Sequence, residues 1–115
     1  MNVTTAYHEG TAVLRVDEPR LTFPILGDFA SAATGLIAKG EKQIVIDLAA
    51  VNYVDSATIG CLMDLYRQTR AAGGALKVSG VQTRVETMLT MTGAHHFLEV
   101  FADEASALAS FRGQP

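Results

Sequence analysis

Apolar residues along the chain alternate between short runs and helical stripes. Thr11 to Val16 (TAVLRV) carries Val13, Leu14 and Val16 after a turn at Gly10, which predicts a strand. Asp17-Glu18-Pro19-Arg20 breaks that pattern. Pro24 suits the first turn of a helix, where its missing N–H costs nothing. Ile25, Phe29, Ala32, Ala33 and Leu36 then recur at helical spacing, and Gly40 marks a stop. Gln43 to Leu48 (QIVIDL) reads as a strand buried on both faces. Val51-Asn52-Tyr53-Val54 is a loop or a short extended piece. Ile59, Leu62, Met63 and Tyr66 fall at i, i+3, i+4 and i+7, so the next helix buries them and turns Asp64, Arg67, Gln68 and Arg70 elsewhere until Gly73-Gly74 ends it. Ala75 to Val78 (ALKV) predicts a strand. Val81, Val85, Met88, Leu89 and Thr92 form a third helical stripe, closed by Gly93. Phe97 to Phe101 (FLEVF) predicts a last strand, and Asp103 a capped final helix carrying Ala105, Leu108 and Phe111. Strand and helix thus alternate four times, which implies a largely parallel sheet with helical crossovers. Such sheets favour sites at the carboxyl ends of their strands, here the segment after QIVIDL.

Composition narrows the class. At 115 residues the chain is expected to be one domain, residues 1–115, with one core. Hydrophobic residues make up 49% and charged residues 18%, which excludes intrinsic disorder. The net charge of −3 argues against nonspecific nucleic-acid binding, which requires a basic surface. No apolar run approaches the ~18 residues of a membrane span. The first residues, Met1-Asn2-Val3-Thr4-Thr5, lack the basic and apolar regions of a signal peptide, so a cytoplasmic protein is expected.

The sequence holds few candidates for chemistry. GxGxxG, P-loop, HExxH and GxSxG motifs are all absent, so no cofactor is expected and no enzyme. His95 and His96 are adjacent; read as strand neighbours they point to opposite faces and do not share a metal, and His8 is the one other histidine. Cys61, the single cysteine, reads as a packed structural thiol. Asp55-Ser56 is the notable pair, placed after a buried strand and at the start of a helix. One reading is capping of the helix by either side chain. The other is phosphorylation of Ser56. The two are compatible, because a helix N-terminus stabilises added negative charge by ~0.3–1 kcal/mol.

These residues carry a resemblance. Ile44-Val45-Ile46-Asp47-Leu48, Val51, and Val54-Asp55-Ser56-Ala57-Thr58-Ile59-Gly60 resemble the core of the STAS domain, the family of sulfate transporters and anti-sigma-factor antagonists. Gly73 to Gly80, Leu89-Thr90-Met91-Thr92-Gly93 with Phe97, and Phe101 to Leu108 are similar to later segments of the family, so the likeness is best over residues 43–111. It implies an α/β fold with a mixed sheet of four to five strands and about four helices packed largely on one side. It further implies an anti-anti-sigma factor, a binding module whose unmodified form holds a kinase-type anti-sigma factor. That kinase phosphorylates the serine, releasing the antagonist, and a serine phosphatase resets it. By position Ser56 matches the phosphorylated serine, and Asn52, Tyr53, Asp55, Ala57 and Thr58 join it as expected partner contacts; for Tyr53, packing under the loop is an equal alternative. A monomer or weak dimer is expected. Other uses of the fold are a scaffold in stress-signalling assemblies and an accessory subunit of a lipid transporter. Three positions depart from the family pattern. Ala57 removes a neighbouring hydroxyl, Thr58 replaces a glycine and offers a second acceptor, and Pro19-Arg20-Leu21-Thr22 lacks an acidic residue.

Overall fold

In the computed structural model, which describes residues 2–112, the chain opens with a hairpin. Strand β1 (Val3–His8) runs antiparallel to β2 (Thr11–Val16), with Val3 opposite Val16 and His8 opposite Thr11. Glu9 and Gly10 form the turn, with φ of 50° and 84°. Two successive positive φ values give the twist that a two-residue hairpin needs. The apolar pattern does not predict β1. Its residues VTTAYH suit a strand, but at the sheet edge none is fully buried, so the period-2 signal is missing.

Strands β4 (Gln43–Asp47), β6 (Ala75–Ser79) and β7 (Glu99–Phe101) add in parallel, giving a mixed sheet ordered β1-β2-β4-β6-β7. Helices α1 (Phe23–Ala38), α2 (Ser56–Ala71), α3 (Thr83–Met91) and α4 (Glu104–Phe111) follow the expected order. A separate parallel ladder of two residues each joins β3 (Arg20–Leu21) to β5 (Tyr53–Val54). It begins at the end of the segment read as a breaker and lies in the one read as a loop or a short extended piece.

Alternation along the strands sorts residues between two faces. Leu14, Ile44, Ile46 and Val78 meet Phe29 and Leu36 of α1, Leu62 and Leu65 of α2 and Leu89 of α3 in the main core. Val13 and Val45 meet Ala107 of α4 on the opposite face. Three helices therefore share one side and α4 covers the other.

Two segments differ from expectation. The last strand begins at Glu99, because Gly93 (φ 79°) leads into a 3-10 turn over Ala94–His96 and leaves Phe97 outside the ladder. His95 and His96 therefore do not alternate across a strand; their ring centroids lie 4.0 Å apart. Met63 and Tyr66, expected in the core, are only half-buried.

Polar contacts fasten α4. Arg15 donates from Nε to Glu104 Oε2 at 2.6 Å and from its Nη2 to Oε1 at 2.8 Å, a bidentate pair that fixes the start of the helix. Near its end, the buried Lys77 donates to Ser110 Oγ at 2.8 Å and lies 4.3 Å from the Phe111 ring centroid. Asp47 sits beside Glu104. Burial first, and the hydrogen bond with Glu104 second, push the Asp47 carboxyl up to about 6. The bond to Arg15, and then that to Asp47, hold Glu104 well below the usual carboxylate range.

Above the ordinary aspartate range and below about 6, the folded chain keeps a proton that the unfolded chain has released. Stability contributed by this group therefore falls as pH rises through that window. Glu104 acts lower, where its contribution is lost as pH falls below the ordinary glutamate range. Thermal melts at about pH 4.5 and about pH 7 should show a smaller loss of Tm for Asp47→Asn than for wild type.

Candidate partner-binding site

The end of β4 and the start of α2 are joined by a loop that the small ladder holds in place. The Val51 N–H donates to the Leu48 carbonyl at 2.9 Å and the Asn52 N–H to the Pro19 carbonyl at 2.8 Å. Arg20 then pairs with Tyr53 and Leu21 with Val54. This brings the segment before α1 alongside the segment before α2, so the two helices begin side by side.

One carboxylate serves both beginnings. Asp55 is the N-cap of α2, with extended backbone (φ −104°, ψ 178°). Its Oδ1 accepts from the Thr58 N–H at 2.9 Å, and its Oδ2 accepts from the N–H of Phe23, the first residue of α1, at 2.9 Å. Thr22, the N-cap of α1, makes no side-chain cap of its own. Burial alone would raise the Asp55 pKa, but the hydrogen bonds from Phe23 and Thr58 outweigh it and hold the carboxyl below its usual value. The cap is Asp55, which resolves the choice left open between the two side chains.

Ser56 is thereby left uncommitted. It is the first residue of α2 and exposed, and among the described residues its hydroxyl makes no side-chain hydrogen bond. Ala57 and Asn52 are exposed beside it. Tyr53 is half-buried with the Arg20 guanidinium 4.3 Å above its ring, so it is packed on one face and open on the other. No acidic residue stands in the first turn of either α1 or α2.

Thr58 corrects an expectation. It is fully buried, and its hydroxyl has two acceptors in reach, the Leu21 carbonyl at 2.7 Å and Asp55 Oδ1 at 2.8 Å. Its side chain thus faces the interior and not the exposed surface that carries Ser56. Its hydroxyl links the start of α2 to β3.

The sequence reading missed the neighbouring surface. Phe23 is 73% exposed and, with Pro24, Leu26, Gly27, Ala30 and Cys61, lines an apolar groove of about 480 Å³ between the first turns of α1 and α2. Phe23 lies outside the Ile25–Leu36 stripe, which was the available signal that it faces outward. Cys61 is half-buried on the groove wall, and burial first, then the charge of Asp64, pushes its thiol pKa up. The thiol is not activated.

Residues 2–107 match the STAS domain. The chain belongs to the STAS domain family. This STAS domain is 27% identical over 67 residues to the anti-sigma F factor antagonist of Paenibacillus polymyxa, covering 58% of this chain and 57% of that protein. The aligned stretch is thus under two thirds of that relative's length. Among solved structures, an anti-sigma factor antagonist from Mycobacterium paratuberculosis matches with a TM-score of 0.88 at 20% identity, over 96% of this chain and 93% of that one. The Bacillus cell fate determinant SpoIIAA in its phosphorylated form matches with a TM-score of 0.73 at 15% identity, over 96% of this chain and 99% of that one. At these identities the structural likeness establishes the fold.

In this STAS domain, Asp55→Ala strips acceptors from two helix N-termini and should cost about 2 kcal/mol, whereas Ser56→Ala should cost less than about 0.5 kcal/mol. Urea unfolding reads the contrast: a lower midpoint at unchanged slope for Asp55→Ala, and a midpoint near wild type for Ser56→Ala.

Proposed function

We propose that this STAS domain is an anti-sigma factor antagonist, which binds a kinase-type anti-sigma factor through the face around Ser56 and is released when Ser56 is phosphorylated. The observation that carries the reading is the division of labour at the start of α2. Asp55 satisfies the helix, so Ser56 presents a free hydroxyl on an exposed, acid-free first turn. The names of the relatives support the same role. The kinase would supply ATP and magnesium: the Ser56 oxygen attacks the γ-phosphorus, ADP leaves, and the serine proton passes to a base on the kinase. A serine phosphatase returns the hydroxyl.

The geometry suits a switch that leaves the fold intact. Ser56 is exposed at the start of α2, so a phosphate of about −1.5 to −2 on it stays in solvent, favoured by the helix N-terminus and opposed by the Asp55 carboxylate beside it. The same charge disrupts an interface. The apolar groove beside Phe23, together with Tyr53, Asn52 and Ala57, provides contact area around Ser56, and a dianion set in its middle must be desolvated or expelled.

A pull-down from source-cell lysate with wild type, Ser56→Ala and Ser56→Asp tests this. Wild type and Ser56→Ala should retain a protein of kinase fold, and Ser56→Asp should bind it about 100-fold more weakly. With that kinase and labelled ATP, label should enter wild type and not Ser56→Ala. Equal retention by all three baits, or labelling of Ser56→Ala, would overturn the proposal.

A further inference from the structure

The far end of α2 carries a second surface that the Ser56 face does not include. Met63, Tyr66, Arg67 and Arg70 lie at i, i+3, i+4 and i+7 and so share one side of the helix. Phe97, from the turn after Ala94–His96, closes a groove of about 430 Å³ against them. Arg70 lies fourteen positions beyond Ser56 along the helix, a span of about 21 Å.

The groove combines two features. Its walls are apolar and aromatic. Phe97 is 57% exposed, and its ring centroid lies 6.4 Å from that of Tyr66. Its rim is cationic. Arg70 donates from Nη1 to the Tyr66 hydroxyl at 2.9 Å, and its guanidinium lies 5.7 Å from that ring centroid. The remaining donors of Arg70, and all those of Arg67, face no carboxylate within salt-bridge distance among the described residues. In a chain of net charge −3, two unneutralised arginines beside exposed aromatic surface are a local excess of positive charge. Tyr66 also fixes one edge of the Arg70 fork and leaves the other free for a bidentate acceptor.

We infer that this groove binds a small amphipathic carboxylate, its apolar body against Met63, Tyr66 and Phe97 and its carboxylate on Arg70 and Arg67. The volume suits a small molecule. Glu99 lines the adjoining recess, and its negative charge disfavours a dianion there. A peptide extending the sheet would find only the three residues of β7 at this edge.

Titration of the 15N-labelled full chain with 4-phenylbutyrate, followed by NMR, tests the assignment. Saturable shifts are expected at the amides of Met63, Tyr66, Arg67, Arg70 and Phe97. The neutral amide, 4-phenylbutyramide, should bind at least about tenfold more weakly, as should the acid to Arg70→Gln or Arg67→Gln. Both arginines are exposed, so these variants keep the fold, which the dispersion of the same spectra verifies. Ser56→Asp should bind the acid like wild type, which separates this site from the proposed switch. Equal affinity for acid and amide, shifts centred on the Phe23 groove, or no saturation by about 10 mM would each overturn the inference.

Discussion

A single carboxylate, Asp55, ties the starts of two helices to one point. The Phe23 and Thr58 N–H groups both need an acceptor, because the first turn of a helix has none within itself. Asp55 supplies one oxygen to each. The β3–β5 ladder places the two segments close enough for this, and the Thr58 hydroxyl reaches back to the Leu21 carbonyl to close the arrangement. Helices α1 and α2 pack on the same sheet face, so their common origin also sets how they meet over Phe29 and Leu62. The consequence for function lies one residue further on. With the cap provided, Ser56 makes no side-chain hydrogen bond among the described residues, and its hydroxyl is available to a partner.

The opposite face of the sheet uses polar contacts where the main core uses apolar ones. Among the described residues, Val13, Val45 and Ala107 are the buried hydrophobics there. The Arg15–Glu104 fork and the Lys77–Ser110 bond hold the two ends of α4. The buried Lys77 charge is satisfied by the Ser110 hydroxyl, by the faces of Phe101 and Phe111, and by the Glu99 carboxylate 3.6 Å away at the exposed margin. On this face Asp47 and Glu104 make stability depend on pH, as Asp55 does at the helix starts.

Much of the fold was legible because burial and periodicity coincide. The QIVIDL run lies between two strands with both faces covered, and the stripe through Ile59 and Leu62 faces the sheet. The missing pieces share a cause, which is that tertiary contacts outweigh a weak local signal. Strand β1 is held by ladder bonds to β2 and needs no apolar face. Tyr66 follows the helical stripe of Leu62 yet packs only half inside, because Phe97 comes from a turn and not from the strand the pattern implied. At the site, the pairing of Asp55 with Ser56 was visible, but which side chain caps α2 was not. That depends on Phe23, 32 positions away, which gives the carboxylate a second donor and fixes its orientation. The burial of Thr58 rests on an acceptor still further along the chain, the Leu21 carbonyl, 37 positions away.

The most direct measurement is native-state hydrogen exchange at the Phe23 and Thr58 amides in wild type and in the chain phosphorylated at Ser56 or carrying Ser56→Asp. If Asp55 holds both helices independently of Ser56, protection at the two amides stays within about twofold of wild type. A loss of about tenfold or more at either amide would show that charge at Ser56 opens the helix starts, and would contradict a switch that acts on the surface alone.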